Sequence, residues 1–196
     1  YDYINGIIKK HENTRKDKEE DRIKHIKLTK CQSEPVFLSY KSFLPLNDII
    51  QNVTENSPYI DFTSPDKVRH ILWEIKDPSV IQSVVDNFKK LDCLYIADGH
   101  HRSAAAVNYA LRMDEETNNV GGKEEREYHY FMAVVFPDKD LRIMAYNRAV
   151  KDLNNLPERE FIAKISEKFT VKEVSSNDKD GGYVPGTKKE FGMYMS

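Results

Sequence analysis

The sequence has few cysteines and no hydrophobic run of transmembrane length. Its two cysteines, Cys31 and Cys93, stand far apart and lack the spacing of a metal site. This count excludes a disulfide-dense scaffold and predicts free thiols in a reducing compartment. No apolar stretch is long enough for a membrane span, and no secretory leader is visible. We therefore expect a cytoplasmic protein that does not enter the membrane.

An excess of positive charge and the common glycine-rich phosphate motifs are also missing. The formal net charge is −2, so the composition gives no sign of a nucleic-acid partner. The sequence contains neither a Gly-x-x-x-x-Gly-Lys run nor a Gly-x-Gly-x-x-Gly fingerprint. Any bound nucleotide must then be held by another kind of helix N-terminus.

The length and hydrophobic content of the chain predict a single domain over residues 1–196. The chain has 196 residues, of which 39% are hydrophobic, and this suffices for one domain with its own core. Because it begins at Tyr1 rather than at Met, we expect an internal fragment of a longer protein. Residues 175–189 are polar and glycine-rich, which predicts a loose segment.

Hydrophobic periodicity predicts a mixture of strands and helices. Strands are expected at 35–40, 59–62, 68–75, 94–97, 128–136, 141–146 and 170–174, with a further one starting within 191–195. Helices are expected at 15–30, 46–53, 78–91, 101–117 and 157–169. The short turn at 137–140 predicts an antiparallel hairpin in which strand 128–136 is central. The fold class is therefore α+β, with a mixed sheet and flanking helices.

The most informative stretch is a strand, a sharp turn and a helix at residues 94–106. A buried strand at 94–97 is broken by Asp98 and Gly99, and an alanine-rich helix follows. Helix N-termini carry unpaired N–H groups and partial positive charge, so they bind phosphates and carboxylates. His100, His101 and Arg102 add two imidazoles and a guanidinium to this turn. Their crowding favours a ligand site over an ordinary surface turn.

Individual side chains at this turn allow several roles. Asp98 could cap the helix, hold a metal ion or accept a proton. Arg102 could make a forked contact with a phosphate. Upstream, His11 and Glu12 form either an acid–base pair or part of a polar loop. Arg148, which follows a late predicted strand, could supply further positive charge to a phosphate.

Several motifs in fixed order resemble one family. They are Asp-Gly-His-His-Arg at 98–102, His-Glu-x-Thr at 11–14 followed by Asp21-Arg22, Pro-Val-Phe-Leu-x-Tyr at 35–40, Asn-Arg at 147–148 and Phe-Gly-Met-Tyr at 191–194. In these motifs the chain resembles the bacterial and archaeal family called domain of unknown function 1015. Members of that family are longer at both ends, so the resemblance implies that this chain corresponds to their middle.

The motif at 98–102 is also similar to the nucleotide-binding motif of the ParB/sulfiredoxin superfamily. That superfamily includes partition proteins that bind CTP, sulfiredoxins, and kinases that phosphorylate free serine. The similarity implies a ParB/sulfiredoxin-like core around the strand, turn and helix. It further implies that Asp98 places a metal ion or hydroxyl, that His100, His101 and Arg102 contact phosphates, and that Glu12 is a candidate base.

Three functions fit these residues, and we favour a phosphotransferase that uses ATP or ADP with Mg²⁺ on a small-molecule hydroxyl, such as that of a free amino acid. The expected catalytic residues are Asp98, Glu12 and His100, with Asp98 as the metal ligand. The expected ligand-binding residues are Gly99, His100, His101, Arg102, Arg148 and His11. The first alternative is a nucleotide-binding regulatory module without catalysis. The second is a metal-dependent hydrolase built on His11, Glu12, Asp98, His100 and His101. The oligomeric state stays open.

Overall fold

The computed structural model describes residues 1–119, 122–176 and 182–195. Contacts between residues divide the chain into two compact units, Tyr1–Ile143 and Met144–Ser196, and each is described by itself. The single domain and the internal fragment predicted from the sequence stay predictions. None of the helices in the described part of the chain combines the length and apolarity needed to cross a bilayer.

The first unit is built around a four-stranded mixed sheet. Its strands are β1 (Ile8–Lys9), β2 (Val36–Tyr40), β5 (Leu94–Asp98) and β6 (Ala133–Pro137), in the order β1-β5-β2-β6. β1 pairs parallel with β5, β5 antiparallel with β2, and β2 parallel with β6. The α+β class with a mixed sheet is therefore confirmed, whereas a ParB/sulfiredoxin-like core stays a prediction.

The core of this sheet forms where its inner strands bury branched aliphatic side chains. Val36, Leu38 and Ile96 from β2 and β5 pack with Ile8 of β1, and all four are at most 7% exposed. β2 lies between two strands, so four of its five residues are buried. Burial of neighbouring residues on both faces explains why its sequence is mostly apolar rather than strictly alternating.

Two helices of the first unit pack against each other beside the sheet. They are α1 (Lys16–Thr29) and α4 (His100–Glu116). Ile23 of α1 contacts Ala105 and Tyr109 of α4, and Ala105 is fully buried. The small alanine side chains let the two helices approach closely. The Lys27–Glu116 ion pair, 2.7 Å long, lies at the outer edge of this contact.

The segment between β2 and β5 holds two further helices and a small hairpin. The helices are α2 (Leu44–Thr54) and α3 (Pro78–Phe88). The Asp77 carboxylate caps α3 by accepting a hydrogen bond from the Ser79 N–H at 2.8 Å. β3 (Ile60–Thr63) and β4 (Arg69–Leu72) form a separate two-stranded antiparallel sheet. The predicted strands and helices of this segment are confirmed, with shifted ends.

In the described part of the second unit there is one helix, α5 (Glu158–Ser166), within the predicted range 157–169. The strands predicted at 170–174 and 191–195 are wrong, because these residues form no ladder. Their apolar pattern predicts extended backbone, but a strand also requires a pairing partner. Residues 177–181 of the predicted loose segment lie outside the described residues.

The predicted hairpin of strands 128–136 and 141–146 is also wrong. The first strand covers only β6, which lies at the edge of the sheet rather than at its centre. The start of the predicted strand 128–136 belongs to a 3₁₀ turn instead. There the Tyr128 hydroxyl and Nε2 of His129 lie 3.0 and 2.9 Å from the Asp114 carboxylate of α4 and hydrogen-bond to it. After β6, the Asp138 carboxylate accepts a bond from the Ser42 N–H, and residues 141–146 form no strand.

Candidate functional site

The candidate site is built on the turn that joins β5 to α4. β5 ends at Asp98, Gly99 takes a left-handed φ of +95°, and α4 begins at His100, one residue earlier than predicted. An ordinary side chain at Gly99 would be strained, and its Cβ would lie 3.2 Å from Nε of Arg102. The glycine therefore allows the sharp turn from strand to helix.

The first turn of α4 presents unpaired backbone donors. No side chain caps the helix at Gly99. The N–H groups of His100, His101 and Arg102 make no hydrogen bond within the described part of the chain, and the first bonded one belongs to Ser103. The positive end of the helix dipole lies at the same place. This end of α4 therefore offers the donors that an anion requires.

Arg102 is engaged inside the protein. Its guanidinium donates to the Pro35 carbonyl and to the Asp98 carboxylate, both at 2.5 Å, and Nη1 lies 3.3 Å from Oε2 of Glu34. Two carboxylates therefore balance its charge. Asp98 is occupied by this pair rather than by a helix cap. Contact of Arg102 with a phosphate, and of Asp98 with a metal ion, stay predictions, and either would compete with this ion pair.

His100, His11 and Glu12 lie close together. His100 is 5% exposed, and its Nδ1 is 3.7 Å from Oε2 of Glu12. The His11 ring meets the His100 ring edge to face, with centroids 4.3 Å apart. Nε2 of His100 is buried and has no hydrogen-bond partner among the described residues. The sequence predicted His11 and Glu12 as a pair, and the structure adds His100 to them.

Burial lowers the pKa of His100 below its usual range, and the neighbouring His11 lowers it further. The carboxylates of Glu12 and Asp98 act in the opposite direction but do not outweigh burial. His100 is therefore neutral at pH 7, when an imidazole nitrogen can accept a proton or bind a metal ion.

His101 has a different environment from its neighbour. Its Nε2 accepts a hydrogen bond from the backbone N–H of Arg15, at 3.2 Å. Arg15 is the residue that precedes α1, so this bond joins the start of α1 to the start of α4. The two adjacent histidines therefore do not share one partner.

A polar cavity of about 170 Å³ opens at the start of α4. We call it the α4 cavity. It is lined by Glu12, Arg22, Asp98, Gly99, His100, His101 and Arg102. Six of these seven residues were predicted as site residues, and the structure brings them together around one space.

Arg22 was not predicted as a site residue. It lies on α1, is exposed, and makes no hydrogen bond or ion pair within the described ranges. Among the described residues that line the α4 cavity, Arg22 therefore has a guanidinium that is available to a ligand. The sequence signal was the Asp21-Arg22 pair, which follows His11 and Glu12. Because Arg22 lies on a predicted helix, the sequence did not show toward which neighbours its side chain would point.

Arg148 belongs to the second unit. Its guanidinium lies 3.8 Å from the centroid of the Tyr146 ring and donates to the Tyr146 carbonyl at 3.3 Å. This cation–π contact holds the side chain locally. Its part in ligand binding stays a prediction.

Comparison with known proteins identifies the family of the chain. A search of curated proteins and a search of solved structures each find no match. A family model described as "Protein of unknown function (DUF1015)" matches residues 1–196. The family resemblance carried by the motifs at 11–14, 35–40 and 98–102 is thereby confirmed. With a match that spans its whole length, this chain belongs to the DUF1015 family of proteins of unknown function.

Proposed function

We propose that this chain binds the phosphate end of a nucleotide or another phosphorylated small molecule in the α4 cavity. The observation that carries the proposal is the start of α4, where three backbone N–H groups have no partner among the described residues and belong to residues that line the α4 cavity. Arg22, which also has no partner among those residues, lines the same cavity. Backbone donors, a helix dipole and a guanidinium together favour a phosphate group. The similarity of the motif at 98–102 to that of the ParB/sulfiredoxin superfamily supports the same ligand.

The charges of the cavity favour a metal-bound phosphate. Glu12 and Asp98 also line it, and their carboxylates would repel a bare phosphate. Mg²⁺ is held by one or two carboxylates together with substrate phosphates. An ion placed between the carboxylates and the phosphate would therefore attract both and remove their mutual repulsion. We therefore propose ATP or ADP with Mg²⁺ as the ligand, and Asp98 as the residue that holds the ion.

The same arrangement supports phosphoryl transfer to a small-molecule hydroxyl, such as that of a free amino acid. This reaction depends mainly on positioning and on neutralising charge. The proposed roles are Glu12 or the neutral His100 as the group that accepts the hydroxyl proton, and the α4 N–H groups and Arg22 as the groups that hold the phosphate. His11, His101, Arg102 and Arg148 are proposed as further ligand contacts.

The size of the α4 cavity limits which part of a nucleotide it can hold. Its volume of about 170 Å³ is below the range of about 300–1,000 Å³ typical of pockets that enclose a drug-sized ligand. We therefore expect the phosphoryl groups to enter the cavity and the base to lie outside it. A ligand bound in this way would be recognised more by its phosphates than by its base.

A thermal-shift titration with Mg²⁺ and ATP, ADP or CTP tests the binding. A ligand that binds only the folded state raises stability by about 2.7 kcal/mol at one hundred times its Kd. We expect Arg22→Ala to weaken binding by about tenfold or more, because it removes a charge-assisted hydrogen bond. The matched control is Lys24→Ala, which removes an exposed cation from the same helix outside the cavity. An unchanged melting temperature with all three nucleotides would contradict the proposal.

A separate assay tests transfer. The protein is incubated with the nucleotide that binds and a panel of free amino acids and other small hydroxyl compounds, and phosphorylated products are sought by mass spectrometry. We expect a product that disappears in Glu12→Gln. Binding without any product would favour the regulatory module over the phosphotransferase.

A further inference from the structure

We propose that His11, Glu12 and His100 form a binding site for a divalent transition-metal ion. One ligand atom from each of the three side chains lies within 4.8 Å of the other two. The pairing of the strands explains their proximity. β1 and β5 run parallel, so the residues that follow β1 and those that follow β5 meet at one edge of the sheet.

The donor set matches the ions that histidine and carboxylate bind together. Two imidazole nitrogens and one carboxylate oxygen form the protein ligands of many catalytic zinc sites and of iron sites with a facial triad. Mg²⁺ and Ca²⁺ prefer oxygen ligands, so the site is distinct from the Mg²⁺ proposed with the nucleotide. The ligand class is therefore Zn²⁺ or a related ion such as Mn²⁺, Fe²⁺ or Co²⁺.

The side chains can close around an ion with little movement. Ligand atoms about 2.0–2.1 Å from a tetrahedral Zn²⁺ lie about 3.3 Å from each other. His11 and Glu12 are exposed, and the Glu12 side chain retains 60% of its accessible surface. Because both side chains are exposed, they have room to rotate toward that spacing while the buried His100 stays in place.

The state of His100 is a second, independent sign of a ligand. The residue is 95% buried, yet neither ring nitrogen makes a hydrogen bond within the described ranges. Nδ1 lies 3.7 Å from the Glu12 carboxylate, beyond hydrogen-bonding distance. Buried polar atoms are normally satisfied, and an ion held between the three side chains would give a partner to the His100 nitrogen that binds it.

The site would leave a coordination position open toward the α4 cavity. Glu12 and His100 line that cavity, so a water molecule or an anionic oxygen could complete the coordination. Arg22 in the same cavity carries the positive charge that such an anion would also contact. The inference does not depend on nucleotide binding, and an ion bound here would occupy the Glu12 and His100 atoms that are proposed above as proton acceptors.

Cobalt titration of the whole chain tests the proposal without any nucleotide present. The protein is stripped with a chelator, dialysed and titrated with Co²⁺, while the visible absorption of the bound ion is recorded, and Zn²⁺ is then added as a competitor. We expect one Co²⁺ per chain and its displacement by Zn²⁺. His11→Asn and Glu12→Gln should each weaken binding by at least about tenfold, since even the outer partners of metal ligands are worth about 10–100-fold.

The matched control is His25→Gln, which removes an exposed histidine of α1 that belongs neither to the three-residue cluster nor to the α4 cavity. It should bind Co²⁺ like the unchanged protein. Both ligand variants replace exposed residues, so circular dichroism should show that they remain folded. No saturable Co²⁺ signal, equal binding by all three variants, or an equal loss in His25→Gln would each overturn the proposal. Because this titration contains no phosphate ligand, its result is separate from that of the nucleotide titration.

Discussion

Gly99 is the residue on which the geometry of the candidate site depends most directly. Its left-handed φ of +95° turns the chain from β5 into α4, and it leaves room for Arg102 to reach Asp98 and Pro35. A side chain here would disturb both the backbone and the guanidinium. The turn and the ion pair are therefore one structural unit.

We expect Gly99→Ala to lower the free energy of unfolding by about 1–3 kcal/mol, because alanine is strained at this φ and its Cβ crowds Arg102. Urea denaturation measures the change. The matched control is Gly6→Ala, which also has a positive φ, +75°, but has open space around the new Cβ. Gly6→Ala should lower the free energy of unfolding by less than Gly99→Ala does. An equal loss in both variants would show that contact with Arg102 contributes nothing.

His100 gives the protein a pH-dependent stability. Burial favours its neutral form, so the folded state takes up a proton less readily than the unfolded state, whose histidine has the ordinary pKa of 6.5. As the pH falls through that value, the unfolded state binds more protons and the free energy of unfolding decreases. Denaturant titrations between about pH 8 and about pH 5 should show this decrease, and it should be smaller in His100→Gln.

The exposed His25 provides the control for this pH dependence. His25→Gln should retain the slope of the unchanged protein, since it removes an exposed side chain and leaves the buried His100 in place. An identical slope in His100→Gln and His25→Gln would contradict the assignment to His100.

The residues of the site could be predicted from the sequence better than their contacts. The crowding of charge and imidazole at 98–102 marked the turn, and Glu12 was marked by its neighbour His11. The partners of Arg102 could not be predicted, because Glu34 and the Pro35 carbonyl reach it only through the pairing of β2 with β5. The position of Arg22 depends in the same way on how α1 packs against α4.

At the scale of elements, the packing of α1 against α4 holds two walls of the cavity together. Arg22 comes from α1, whereas His100, His101 and Arg102 come from α4. The contact combines a buried apolar strip with exposed ion pairs such as Arg112–Glu20. The buried strip should contribute most of the stability, since exposed ion pairs contribute little.

Two substitutions on α4 separate these contributions. Ala105→Leu should lower the free energy of unfolding by about 1–3 kcal/mol, because its fully buried position has no room for a larger side chain. Arg112→Ala should change it by about 1 kcal/mol at most, because the Arg112 side chain is half-exposed. Urea denaturation of both variants gives the comparison. A larger loss in Arg112→Ala would show that charge, rather than packing, holds the helices together.

Elements with strong local signals were predicted correctly, and those defined by distant partners were not. The local signals differ from helix to helix: α3 has the Asp77 cap and regularly spaced apolar residues, whereas α4 has the alanine-rich run that follows Gly99. β1 has only two residues, too few to show a period, and it exists because β5 pairs with it. The segment 141–146 is the opposite case: its apolar residues predict a strand, but they pair with no other strand, and Ile143 is 99% exposed.

At the scale of the whole molecule, regular structure is concentrated in the first unit. That unit contains both sheets and four of the five helices in the described part of the chain, whereas the second contains α5 alone. The backbone bonds of β2 are protected by strands on both sides. Residues 144–157 have no helix or strand to bond their amides.

Hydrogen exchange should follow this distribution. We expect amides of β2 and β5 to exchange most slowly and those of 144–157 to exchange fastest, because ladder bonds open only in larger unfolding events. Mass spectrometry of peptic fragments measures the rates. Equal protection of β2 and 144–157 would contradict the expectation.

The strand order also has a consequence for how the chain reaches its native state. Each ladder of the main sheet joins segments far apart in the sequence, such as Ile8 with Leu94 and Val36 with Ala133. Non-local pairing of this kind slows folding, because a long loop must close before its contacts form. During synthesis, the sheet cannot be completed until β6 has left the ribosome. Until then the apolar run of β2 remains unpaired on one side, which makes the nascent chain a candidate for chaperone binding.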